Sequence, residues 1–165
     1  MPENKLILTL CLLCRAGQVA LAKKHCGFGA GKWNGYGGKV EHPETVVDAA
    51  IREVYQESGV NISPLYLQRM ALLDFHFAGQ ALVRRMYTFV CDHWEGEPVE
   101  TEEMGEPRWF PIKDLPRGKT EVWAADPIWM PEVLAGKMLR GVFKYDSNGD
   151  NVETFDMEPT IFDPF

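Results

Sequence analysis

The stretch GFGAGKWNGYGGKVEHPETVVDAAIREVYQESGV, residues 27–60, decides how the chain is read. Its first part carries glycines at 27, 29, 31, 35, 37 and 38, and its second part has helical periodicity. Thr45 followed by Asp48 resembles a capping box, Pro43 precedes it, and Gly59 supplies a C-terminal stop. The spacing predicts a helix over Val46–Ser58. Val47, Ala50, Ile51 and Val54 fall at i, i+3, i+4 and i+7, a stripe that faces a core. At ~100° per residue, Glu53 and Glu57 lie ~40° apart, one turn above the other, flanking that stripe. Two like charges so placed repel, so a positive group is expected between them.

Outward from this segment, strands are expected at residues 5–14, 18–22, 66–77, 81–91 and 108–111. Ala16-Gly17 and Ala78-Gly79-Gln80 read as the turns joining the first and second pairs. A second helix is expected to follow Pro131 and run to about Leu139, with Gly136 inside it. Residues 95–107 are acidic, Gly/Pro-bearing and loop-like. The polar tail from Asp146, with a turn at Asn148-Gly149, is expected to be partly loose. These elements predict an α/β fold with a mixed sheet.

The 165 residues fit one domain, 1–165, with 45% apolar and 25% charged residues able to form an ordinary core. A net charge of −7 without a basic stripe argues against a polynucleotide partner. It suits a single nucleotide carried in with a cation, since the metal screens the phosphates locally. Cys11 and Cys14 form a Cys-x-x-Cys, but an extended chain points them to opposite faces, and no second pair completes a zinc site. With Cys26 and Cys91 they read as reduced, structural thiols of a cytoplasmic protein. The apolar run 6–13 is too short to span a bilayer, and Glu3 with no small-x-small site argues against a signal peptide. No membrane or obligate protein partner is expected.

The glycine loop fails two nucleotide fingerprints. Gly27 and Gly31 are separated by three residues and Lys32 precedes Trp33, which excludes a Walker loop, and no G-x-G-x-x-G register fits. The pattern G-x5-E-x7-R-E-U-x-E-E-x-G-U, where U is bulky and aliphatic, does fit. Five residues separate Gly38 from Glu44, and seven more precede Arg52-Glu53, followed by Val54, Tyr55, Gln56, Glu57, Ser58, Gly59 and Val60. This resembles the Nudix box at every fixed position except Gln56, where the family has Glu. The resemblance implies an α/β/α Nudix sandwich around a mixed central sheet and a pyrophosphohydrolase that needs Mg²⁺, with Mn²⁺ an alternative. It implies that Glu53 and Glu57 are metal ligands or the base acting on the attacking water. The Gly37 carbonyl would be a further ligand, and Arg52 would orient the carboxylates. Gln56 can offer an amide oxygen but no charge, which should weaken one metal.

The segments KKHCGFGAGKWNGYGGKV, EEMGEPRWF and VWAADPIWMPEVLAGKMLRGVFKY are similar to the mammalian-type oxidised purine nucleoside triphosphatases within that family. That resemblance implies hydrolysis of nucleotides such as 8-oxo-dGTP to monophosphate and pyrophosphate, sanitising the nucleotide pool. It places Glu103 as an additional metal-side carboxylate, and Asn34 and Asp126 on the polar edge of the base. Phe28, Phe75 and Trp123 would be pocket walls, with Thr9 and Lys24 lining the same pocket. The subfamily has two adjacent acids where this chain has Ala125-Asp126, which bears on recognition of a second oxidised base. The alternatives are a Nudix hydrolase of nucleoside diphosphate sugars or related diphosphates, and a catalytically weak nucleotide-binding Nudix domain.

Overall fold

The computed structural model describes residues 4–163. Long, alternating segments pair into one mixed sheet of eight strands. They are β1 (Asn4–Arg15), β2 (Gln18–Lys23), β3 (Trp33–Asn34), β4 (Leu67–Phe77), β5 (Leu82–Cys91), β6 (Arg108–Pro111), β7 (Leu139–Tyr145) and β8 (Val152–Pro159). The order is β3-β2-β1-β5-β4-β7-β8, with β6 paired to β2. β1 runs parallel to β5 and β4 parallel to β7, while the remaining named pairs are antiparallel.

Two helices cover the two faces: α1 (Val46–Ser58) and α2 (Asp126–Leu134). The period-2 geometry of β1 serves both layers. Leu10 and Leu12 pack in a cluster with Trp129, Met130 and Val133 of α2. Cys11 and Leu13 join Ala50 and Val54 of α1 in the other. Cys14 packs against the α2-side cluster, so Cys11 and Cys14 do face opposite layers. All four cysteines are free thiols. Among the described residues no helix is long and apolar enough to cross a membrane.

The first helix has the expected bounds. Thr45 and Asp48 form the reciprocal capping box, and Gly59 closes the helix in the left-handed region at φ 78°, where glycine avoids the Cβ penalty. The second helix differs from expectation. It begins at Asp126, ends at Leu134, and holds Pro131 inside it rather than starting after it. Pro127 sits in the first turn, where a missing N–H costs nothing. Gly136, at φ 95°, lies beyond the end rather than in the interior. Leu139 therefore opens β7, whose Leu139, Gly141, Phe143 and Tyr145 are buried in strict alternation. The tail expected to be loose is β8, a strand paired with β7 from Leu139↔Pro159 to Tyr145↔Val152. As the outermost strand it keeps polar side chains, which hid its pairing.

The glycine loop lies directly on β1. Thr9 N–H donates to the Gly38 carbonyl at 2.8 Å, and Cys11 and Tyr36 exchange hydrogen bonds in both directions. A Cβ on Gly37 would fall 1.9 Å from the Thr9 carbonyl oxygen, and one on Gly38 would fall 2.5 Å from the Glu53 carboxyl carbon. Only glycine permits this approach. Gly37→Ala is expected to destabilise the protein by roughly 3 kcal/mol or more, because the obstruction is backbone and cannot swing aside. Urea unfolding checks this; a midpoint like the wild type's would mean that the loop does not rest on β1.

Candidate active site

Helix α1 turns Glu53 and Glu57 inward, leaving them 9% and 3% exposed. Glu103, exposed, arrives from the loop between β5 and β6, and carboxylate oxygens of the three lie within 4.8 Å of one another. That loop is pinned to the helix: the Thr101 hydroxyl donates to the Glu57 carbonyl at 3.0 Å and accepts from the N–H groups of Glu103 and Met104. The Gly37 N–H donates to Glu57 Oε1 at 2.8 Å. Burial pushes the Glu57 carboxyl up to about 8. The Gly37 N–H pulls against this, while the charges of Glu53 and Glu103 add to the rise and Lys24 opposes it.

Arg52 organises the surrounding groups through its planar fork. Nη1 donates to Glu53 Oε1 at 2.8 Å, Nε and Nη2 grip Glu44 at 3.0 and 2.6 Å, and Nη2 also reaches the Lys39 carbonyl at 3.0 Å. These bonds hold the Glu44 carboxyl below its ordinary range and raise the Arg52 pKa. Glu44 thereby ties the loop to the helix, a role its place in the pattern did not disclose. Gln56 is exposed, and its Oε1 accepts from Arg52 Nη1 at 3.3 Å. The positive group expected between Glu53 and Glu57 is thus divided: Arg52 bonds Glu53, and the Lys24 charge acts on Glu57. Three hard oxygen donors this close, one of them holding its proton against neutrality, fit a divalent cation.

A cavity of about 420 Å³ adjoins this centre, sharing Gly37, Gly38 and Glu57 as walls. Thr9, Lys24, Phe28, Asn34, Phe75, Trp123 and Asp126 all line it. Lys24 Nζ donates to the Phe28 carbonyl at 3.0 Å, and Asn34 Nδ2 to the Lys32 carbonyl at 3.0 Å. Phe28 stacks on Trp123 with ring centroids 4.7 Å apart. Asp126 is buried in the first turn of α2, its Oδ1 accepting from the Trp129 indole at 3.2 Å. Burial raises its carboxyl to about 7, with that hydrogen bond and the Lys32 charge opposing. It does not cap the helix: the N-cap position belongs to Ala125, which is fully buried and whose N–H donates to the Tyr145 hydroxyl at 2.9 Å.

Sequence reading missed Phe77, Arg84, Met86 and Tyr145, which also line the cavity. The signal was present in alternation: Leu82, Arg84 and Met86 on β5, and the odd positions of β7, each form one face.

Known proteins resemble this chain over most of its length. The NUDIX domain family matches residues 6–133. An oxidized purine nucleoside triphosphate hydrolase from Danio rerio is 41% identical over 147 residues, covering 89% of this chain and 91% of that one. A protein of the same name from Mus musculus is 39% identical over 137 residues, covering 83% and 85%. Among solved structures, the mutator MutT protein from Bacillus halodurans superposes with a TM-score of 0.79 over 93% of this chain and 97% of that one, at 21% identity. That likeness speaks for the fold. With a family match across most of its length and a carboxylate-bearing helix behind a glycine loop, the chain belongs to the Nudix hydrolase family.

Proposed function

We propose that the protein hydrolyses oxidised purine nucleoside triphosphates to the monophosphate and pyrophosphate, with Mg²⁺ as its metal and Mn²⁺ able to replace it. The observation that carries this is adjacency: a three-carboxylate centre shares walls with an aromatic cavity ending in a buried acid. The relatives from Danio rerio and Mus musculus, named for this activity, support the same substrate class. Glu53, Glu57 and Glu103 would hold the ion, with the Gly37 carbonyl as a further oxygen donor, while Gln56, exposed and with its amide oxygen on Arg52, would stay outside that set. When bound, the ion supplies charge neutralisation at the phosphate oxygens.

Arg52 keeps Glu53 in one orientation through the 2.8 Å bond, and Gly37 does the same for Glu57. A bound cation would displace the Glu57 proton, and Glu53 or Glu57, as carboxylate, would then take the proton of the attacking water. Lys24, close enough to the centre to act on the Glu57 charge, lines the cavity beside it. Phe28, Phe75 and Trp123 provide the flat surfaces a purine needs. Asn34 and Asp126 read its edge, with Thr9 closing the wall; oxidation at C8 turns N7 from acceptor to donor, which an amide or a half-protonated acid can detect. Four free thiols suit a cytoplasmic setting.

The direct test is product analysis with Mg²⁺ across 8-oxo-dGTP, 2-hydroxy-dATP, dGTP, dATP and a nucleoside diphosphate sugar. Pyrophosphate release with oxidised purines leading is expected; turnover of the sugar nucleotide alone, or no turnover, refutes the reading. Glu57→Gln is expected to lower kcat at least roughly a hundredfold, about 2.7 kcal/mol of barrier, without lowering the melting temperature of the metal-free protein. Retained turnover in that variant would remove Glu57 from the chemistry.

Asp126 also predicts a pH dependence of stability. Its carboxyl titrates near 7 in the fold against an ordinary 3.8. Between those values the folded state binds the extra proton, so the stability it contributes is full below about 4 and is lost as pH rises through about 7. Asp126→Asn is expected to flatten this fall. Urea midpoints at pH 5 and pH 7.5 for both proteins check it; equal slopes would mean that Asp126 ionises normally.

A further inference from the structure

Two arginines stand side by side on β5 and meet opposite surroundings. Arg85 faces away from the cavity, where Asp74, its register partner on β4, accepts from Nε and Nη2 at 2.8 Å each. Arg84 faces the cavity in the row Leu82, Arg84, Met86, flanked by Leu6 on β1 and Phe75 on β4. Its guanidinium lies 4.4 Å from the Phe28 ring centroid and 4.9 Å from that of Phe77. One of its N–H groups reaches Gln80 Oε1 at 3.2 Å, and among the described residues no carboxylate pairs with it. A half-buried cation in an aromatic wall, with donors left over and no anion, is arranged to meet something that enters the cavity.

Building on the purine triphosphate reading, we propose that Arg84 is a specificity-determining residue whose guanidinium reads the 6-carbonyl edge of the base, so that the cavity takes 6-oxo-purines in preference to 6-amino-purines. A guanidinium donates and never accepts. Guanine-type bases offer it O6, and oxidation at C8 adds a second carbonyl. Adenine-type bases place an amino donor at the 6-position, so donor meets donor and one group is left buried without a partner. Asp126 can donate or accept according to its proton, and Asn34 can do either through its two amide atoms, so neither excludes an amino-purine. Arg84 does. Ala125 adds no second carboxyl that could accept from that amino group.

The test compares kcat/KM for 8-oxo-dGTP and 2-hydroxy-dATP in the wild type, Arg84→Met, Arg84→Gln and Arg85→Met. Methionine keeps length and contact with Phe28 and Phe77 but has no donors; glutamine keeps polarity without the fork. Either folded Arg84 variant is expected to lower the ratio of 8-oxo-dGTP to 2-hydroxy-dATP efficiency by about fivefold or more, with the loss carried by KM for 8-oxo-dGTP. Arg85→Met, which breaks the Asp74 pair on the opposite face, is expected to lower the melting temperature and keep the ratio. A smaller change in both Arg84 variants, parallel losses on both substrates, or an equal shift in Arg85→Met overturns the assignment. If the wild type releases pyrophosphate from neither nucleotide, the underlying function fails instead, which the same assay distinguishes.

Discussion

The active centre depends on how closely a backbone without side chains can approach β1. Gly37 sits so near Thr9 that a methyl group has no room, and from there its N–H reaches Glu57. The same approach brings Gly38 against Glu53 and carries Asn34 and Lys24 to the neighbouring cavity. The loop is therefore a spacer of minimum thickness between a strand and a helix. A thicker backbone would move the carboxyl groups away from the wall they share with the aromatic cavity.

Arg52 adds a second constraint of a different kind. Three carboxyl groups within 4.8 Å crowd charge together, and Glu53 needs a partner to keep it turned inward. The fork of Arg52 binds Glu53 and Glu44 together, so loop and helix hold the repulsive arrangement in place of solvent. Gln56, drawn to the same guanidinium, becomes part of this bracing on the exposed side.

What could be read from the sequence follows from how local its physics is. The cap at Thr45, the stop at Gly59 and the spacing of Glu53 and Glu57 are set by residues a few positions apart, and all appear as expected. The cavity residues Thr9, Asn34, Phe75 and Asp126 come from four distant segments, so their convergence was reached through family resemblance rather than periodicity. Pro131 misled because a proline marks a helix start more often than it sits within one, whereas here Pro127 already occupies the first turn. Arg84 escaped notice because its surroundings are set by strand pairing, which gives Arg85 the Asp74 partner and turns Arg84 to the cavity.

β8 closes the sheet at the end away from β3, and among the described residues no strand pairs with its outer edge. Such an edge invites a strand from another molecule. Glu153, Asp156 and Glu158 stand along it, all exposed, and Pro159 ends it without an N–H to offer. A second copy approaching edge to edge meets like charge at neutral pH. The acidity of this segment thus sets like charge against like at the open margin of an eight-stranded sheet, so that the strand most available for pairing is also the one least suited to pair with its own copy.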